Sequence, residues 1–170
     1  MGAGKTTIGH ELSRRLGVKF VDLDDLIVGS AGKPVPQIFA AEGEAGFRRR
    51  EHEALQWLIA TLSEPVIIAM GGGAFVQPDN FDLIRKCGIP SVFLDAGIDT
   101  LLKRCRSEKG LRPLAQDENQ FRQLYEQRRS GYMKADHRVQ TGEKAVRDIV
   151  HEIMSRLGWS NEVIDSSPVR

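Results

Sequence analysis

Gly2-Ala3-Gly4-Lys5-Thr6-Thr7 constrains this chain more than any other stretch. The P-loop pattern is G-x-x-x-x-G-K-[ST], and Gly4, Lys5 and Thr6 fill its last three positions. A loop of this kind points successive backbone N–H groups inward at the positive end of a helix, where they hold phosphate oxygens. Glycine lets the backbone come that close. Lys5 is placed to reach the β- and γ-phosphates, and the Thr6 hydroxyl to ligate Mg²⁺. The pattern also demands a strand running into the loop. Here Met1-Gly2-Ala3 supply only three of the four variable positions, so the first glycine and its strand would lie before Met1. The expectation is that Met1 is an internal methionine of a longer protein.

With 170 residues and 41% hydrophobic content, the chain fits one domain with a sizeable core. A net charge of +1 gives no footprint for nucleic acid or an anionic membrane surface. Cys87 and Cys105 form no C-x-x-C pair and no zinc spacing, which points to idle thiols in a reducing cytosol. The sequence contains no signal-like segment and no apolar run of membrane-spanning length. A cytoplasmic monomer is expected.

Periodicity predicts an α/β protein with a parallel sheet flanked by helices. Ile8, Leu12 and Leu16 mark a helix that Gly17 ends, and residues 19–22 read as a short strand closed by Asp22. A helix starts near Leu23, a short one spans 35–41 and a longer one 44–62. Residues 66–70 form a continuous apolar run, as suits a strand buried on both faces, and Gly71-Gly72-Gly73 ends it. Helix 79–86, strand 91–94 and helix 99–106 follow. Residues 107–118 are polar and broken by Gly110 and Pro113, which reads as a mobile lid. Helix 120–129, strand 138–140 and helix 143–157 complete a domain over 1–158, and 159–170 reads as a flexible tail.

Three constellations carry chemistry. Asp22-Leu23-Asp24 sets two carboxylates just past a strand end, where one suits Mg²⁺ and the other a proton from a substrate hydroxyl. The alternative is a helix N-cap by Asp24 or Asp25. Arg48 lies on a helix with Glu51 one turn on, and a guanidinium suits bidentate capture of a carboxylate. The alternative is a solvated surface arginine. Gly71, Gly72 and Gly73 offer backbone N–H groups that no side chain blocks, or else a tight turn.

In this order and spacing the residues resemble the shikimate kinase family, over Gly2 to about Leu157. The marks are Gly-Ala-Gly-Lys-Thr-Thr, Asp22-x-Asp24, Gly43-Glu44-x-x-Phe47-Arg48, Gly71-Gly72-Gly73, Leu111-Arg112-Pro113-Leu114 and Arg128-Arg129-x-x-Tyr132. The resemblance implies a P-loop kinase sheet in the order 2-3-1-4-5, with the first strand absent from this chain. It implies ATP-dependent phosphorylation of the shikimate 3-hydroxyl, in aromatic amino-acid biosynthesis. Gly2, Ala3, Gly4, Lys5, Thr6 and Thr7 would cradle ATP, with Thr6 and Asp22 serving Mg²⁺. Asp24 would bind substrate hydroxyls and act as base. Arg48 and Arg128 would grip the substrate carboxylate, and Gly71–Gly73 would contact substrate through backbone. Arg112 would close from the lid onto the phosphates, joining Lys5 and Asp24 as catalytic groups. Arg104 or Arg106 would stack on adenine, Arg106 being the position carried into the ATP site.

The chain departs from the family in three places. Ser130-Gly131 replaces Pro-Leu, and is expected to loosen the turn behind Arg128. The lid reads Arg-Pro-Leu-Ala rather than ending on a second leucine, and Met70 replaces a small residue before the glycines. Without its first strand the sheet should split into halves with open edges, leaving the chain weakly stable or aggregation-prone. Two other readings stand beside this one: a P-loop kinase of another small hydroxy acid, or a nucleotide-binding module that the incomplete loop makes inactive.

Overall fold

A computed structural model describes residues 2–107 and 117–159. The elements run α1 (Lys5–Leu16), β1 (Lys19–Asp22), α2 (Leu23–Ala31), α3 (Val35–Thr61), β2 (Val66–Ala69), α4 (Pro78–Lys86), β3 (Val92–Asp95), α5 (Ile98–Ser107), α6 (Glu118–Tyr132), β4 (His137–Gln140) and α7 (Val146–Arg156). The lid, with Arg112, lies almost wholly outside the described residues, as does most of the tail.

Strands pair β1 with β2 and β3 with β4, both parallel, as two separate two-stranded sheets. Lys19 to Asp22 stand opposite Val66 to Ala69, and Val92 to Asp95 opposite His137 to Gln140. The order 2-3-1-4-5 without its central member leaves these two pairs. Both sheets end at one edge of the molecule, where Asp22, Gly71 and Asp95 lie. In parallel α/β sheets that edge carries the ligand.

Helices α1 and α7 meet over one face, burying Ile8, Leu12, Val139, Ile149, Val150 and Ile153. On the other side α2, α3 and α4 gather Leu23, Ile27, Ile38, Phe47, Leu55 and Ile84. A third cluster joins Ala3 to Leu101, Leu102, Cys105, Phe121 and Tyr125, so the phosphate loop rests on α5 and α6.

The two helices expected before β2 are both present: α3 is two helices that meet at a kink at Gly43 (φ 67°, ψ −176°), a backbone conformation that no side chain would adopt easily. Two expectations change. The run 66–69 is not buried throughout. Val66, Ile67 and Ile68 are half-buried, because β2 has a partner on one edge alone. Ser130-Gly131 does not loosen α6. With no proline to interrupt it, the helix runs on to Tyr132. Gly131 packs against Val76, whose Cγ1 lies 2.6 Å from where a Cβ would stand.

Candidate active site

The loop is built from a left-handed glycine. Gly4 (φ 84°) is the N-cap of α1, and no side chain caps the helix or brings an acid to its first turn. The N–H groups there are left for an outside anion, and the helix dipole favours one. Ile8 N–H already closes onto the Gly4 carbonyl at 2.9 Å, so the helix is wound from its first turn.

Beside it, the Thr6 hydroxyl donates to Asp22 Oδ2 at 3.2 Å. Asp22 ends β1 and caps α2, its Oδ1 accepting the Asp24 N–H at 3.1 Å. The cap is therefore Asp22, not Asp24 or Asp25. This leaves the Asp24 carboxylate to turn toward the glycine turn, where its Oδ1 lies 2.8 Å from an ideal Cβ on Gly71. Thr6 and Asp22 together are a hard-oxygen pair of the kind Mg²⁺ takes alongside phosphate and water. Among the described residues no cluster of three or more His, Cys, Asp or Glu forms a protein-only metal cage.

Arg48 closes the other end of the same turn. Its Nη1 lies 2.3 Å from an ideal Cβ on Gly73, so only glycine fits there without moving the guanidinium. Nη1 pairs with Glu51 at 2.5 Å and Nη2 with Glu44 at 3.1 Å. The Arg48 side chain is 17% exposed, which removes the surface reading. Its Nε is buried with no hydrogen-bond acceptor, a donor left for a ligand. Burial works against the Arg48 charge, but the Glu51 and Glu44 bonds outweigh it and hold the group protonated. Glu51 is buried as well. Burial pushes its carboxyl up, Arg48 pulls it down, and the nearby Asp24 charge adds to the rise.

Arg128 comes from α6, some eighty residues away, and acts on the same spot. Its charge reaches Glu51 and its side chain bonds to the Tyr132 phenol. The Tyr132 hydroxyl donates to the Gly72 carbonyl in a short hydrogen bond. Burial raises the Tyr132 pKa against the pull of Arg128 and Arg48, so the phenol keeps its proton at neutral pH. The glycine turn is further held from behind. Buried Asn80 donates to the Ala74 carbonyl at 2.9 Å, and His52 Nδ1 meets Asn80 Oδ1 at 2.9 Å.

The structure thus gathers Lys5, Thr6, Asp22, Asp24, Arg48, Gly71, Gly72, Gly73 and Arg128 around one edge. It separates the two adenine candidates. Arg104 donates from Nη2 to the Thr141 and Gly142 carbonyls at 2.8 and 2.7 Å, against the loop after β4. Arg106 pairs with Glu118 at 2.9 Å and is 53% exposed.

Two features lie outside the sequence reading. The Tyr132–Gly72 bond is one; the tyrosine was visible as a motif position, but not its acceptor. The other is buried Asp95, which closes β3 as Asp22 closes β1. It binds Arg138 at 2.6 Å and accepts from Gln140 at 3.1 Å, with Arg129 at 3.5 Å. The strand-end rule that found Asp22 had the same signal to offer there.

Comparison with known proteins agrees with this geometry. The family model described as shikimate kinase matches residues 1–158. A shikimate kinase of Symbiobacterium thermophilum is 42% identical over 163 residues, covering 92% of this chain and 91% of that protein. Among solved structures, a Bacteroides thetaiotaomicron shikimate kinase superposes with TM-score 0.84 at 33% identity, covering 93% of this chain and 94% of its own. An Acinetobacter baumannii shikimate kinase in complex with shikimate gives TM-score 0.83 at 35% identity, covering 92% and 88%.

Proposed function

The chain belongs to the shikimate kinase family, and from that premise we propose how its own residues carry the reaction. The activity is transfer of a phosphoryl group from ATP to shikimate. The γ-phosphorus to bridging-oxygen bond of ATP breaks, a bond forms to the shikimate 3-oxygen, and the hydroxyl proton leaves to a base. The products are shikimate 3-phosphate and ADP.

Phosphoryl transfer asks for positioning and charge neutralisation more than covalent help. Lys5 and the loop N–H groups of Gly2 to Thr7 hold the ATP phosphates. Thr6 and Asp22 would hold Mg²⁺, which neutralises phosphate charge when bound. Asp24 accepts the proton of the attacking hydroxyl. Arg48 and Arg128 clamp the shikimate carboxylate, and Gly71 to Gly73 let the ring lie against backbone. Arg104 is the better adenine platform, since it is already fixed beside the loop after β4, while Arg106 is occupied by Glu118. Arg112 lies outside the described residues and takes its role as closing cation from the resemblance alone. We place the reaction in the cytoplasm, with the protein a monomer, as the family resemblance implies. No described helix is long and apolar enough to cross a membrane.

One observation carries this reading. The Asp24 carboxylate and the Arg48 guanidinium stand at the two ends of one glycine turn, which supports reading them as proton acceptor and carboxylate clamp. Steady-state kinetics with each substrate varied tests it. Asp24→Asn should lower kcat by orders of magnitude with the fold intact. Arg48→Lys should raise the KM for shikimate strongly and leave that for ATP nearly unchanged, because lysine cannot form the fork. Equal shifts in both KM values would remove Arg48 as the carboxylate clamp.

A further inference from the structure

Arg48 has two acidic partners, and they are held in different ways. Glu51 meets Nη1 at 2.5 Å with its side chain 2% exposed, while Glu44 meets Nη2 at 3.1 Å with its side chain 72% exposed. A buried partner cannot leave without stranding a charge, whereas an exposed one gives up its pair to water at little cost. Glu51 is therefore the fixed anchor of the guanidinium, and Glu44 the exchangeable one. Glu44 stands directly after the Gly43 kink, at the start of the second helix of α3, and reaches Arg48 one turn on. Its neighbour Glu42 is committed elsewhere, with both oxygens taken by Arg50 at 2.7 and 2.8 Å.

The donors of Arg48 say what the exchange serves. A guanidinium receives a carboxylate in two parallel bonds along one edge. Nη1 is held by Glu51, which leaves the edge formed by Nε and Nη2. Nε is buried and has no acceptor. One donor of that edge is thus unsatisfied, and the other is held by Glu44. A carboxylate that takes both must take Nη2 from Glu44, because two carboxylates sharing one site repel each other.

We infer that Glu44 is a placeholder for the substrate carboxylate. It occupies half of the receiving edge of Arg48 and swings into solvent when a carboxylated ligand arrives. This rests on the reading of Arg48 as the carboxylate clamp, and adds to it a residue that sets affinity and selectivity. The exchange swaps one carboxylate for another, so Arg48 keeps two acidic partners throughout. The guanidinium stays aimed at the glycine turn, where the missing Cβ of Gly73 makes room for it. A neutral ligand brings no charge to replace the Glu44 pair, and Glu44 then keeps the edge. The same contact limits tightness, since Glu44 competes with the ligand that the site is built to hold.

The test uses the full 170-residue chain, with the Kd for shikimate measured by calorimetry in the absence of ATP. Glu44→Gln keeps the side-chain length and removes the charge. The Kd should fall about two- to fivefold, the range over which an exposed ion pair acts. The Kd for Mg²⁺-ATP, the Kd for the uncharged methyl ester of shikimate and the Tm should stay near those of the parent. The sign of the change separates this role from a bracing one. If Glu44 merely supported Arg48, the variant would bind shikimate more weakly. Arg48→Lys supplies the second arm, because it keeps a cation beside buried Glu51 but has no second nitrogen for Glu44. It should weaken shikimate binding about tenfold, as loss of a charge-assisted bond does, and adding Glu44→Gln should then bring no gain. An unchanged or raised Kd in Glu44→Gln would overturn the proposal. So would an equal gain in the Arg48→Lys background, which would show repulsion through space rather than occupation of the edge. Arg48→Lys binding shikimate as tightly as the parent would remove the clamp reading, and the placeholder with it. Weakened binding in Arg48→Lys beside no improvement in Glu44→Gln would remove the placeholder alone.

Discussion

Glu51 is buried with Arg48 2.5 Å away, and opposing effects act on its carboxyl. Burial raises its pKa, the Arg48 bond lowers it, and the net direction is up. A carboxyl whose folded value is raised contributes stability that is fully present below its unfolded value and is lost as pH rises through the folded one. Acidification therefore costs no stability through this group. It does neutralise Glu51 sooner than an ordinary glutamate, and Arg48 then loses its charged anchor. The KM for shikimate should rise on the acid side by about fivefold, the difference of about 1 kcal/mol between a charge-assisted and a neutral hydrogen bond. The KM for ATP serves as the control, and Glu51→Gln should flatten the acid-side rise. Tyr132 invites a second substitution. Its hydroxyl ties α6 to the Gly72 carbonyl, and Tyr132→Phe keeps the ring against Phe93 while removing the tie. Losing one neutral bond of about 1 kcal/mol should raise the KM for shikimate roughly fivefold, with Tm shifting by only a few degrees. A fall in Tm without a change in KM would make the bond structural only.

At the level of elements, α6 is the piece that brings distant residues to the site. It carries Arg128 and Tyr132, and its approach to the glycine turn depends on Gly131 lying on Val76. Gly131→Ala would set a Cβ 2.6 Å from Val76 Cγ1, so helix or loop must move. Overpacking of this kind costs about 1–3 kcal/mol. The KM for shikimate should rise with it, since both site residues ride on the helix. Val76→Ala should restore much of both, and a double-mutant cycle measures the coupling. Additive losses would mean that the helix is positioned by something else. This contact also shows where sequence reading stops. The boundaries of β1, α4 and β4 followed from periodicity and punctuation, and the strand-end aspartates and glycines located the site edge. What Ser130-Gly131 does was not readable, because its effect depends on Val76, a residue far along the chain. For the same reason Arg104 and Arg106 looked alike as letters. They differ only in which way α5 turns each of them, one to the loop after β4 and one to Glu118.

For the whole molecule, the order of the strands decides how function and stability are related. The active-site edge is assembled from the ends of β1, β2 and β3 together with the phosphate loop, while the middle of the sheet holds an apolar slot. The site residues are in place across that gap because α1 bridges it, packing on β1 and β2 on one side and on α7 on the other. Stability and chemistry can therefore fail separately, and a weak thermal transition would not by itself count against the kinase. Product formation is the direct measure of the central claim, that Asp24, Arg48 and the phosphate loop form a working shikimate phosphorylation site. The chain is incubated with Mg²⁺-ATP and shikimate, and ³¹P NMR follows the phosphorus. The account predicts a new phosphomonoester resonance, coupled to the proton on carbon 3 of shikimate, growing in step with ADP and lost in Asp24→Asn. ATP binding with no phosphomonoester, or ADP release indifferent to shikimate, would contradict it and leave a nucleotide-binding module in its place.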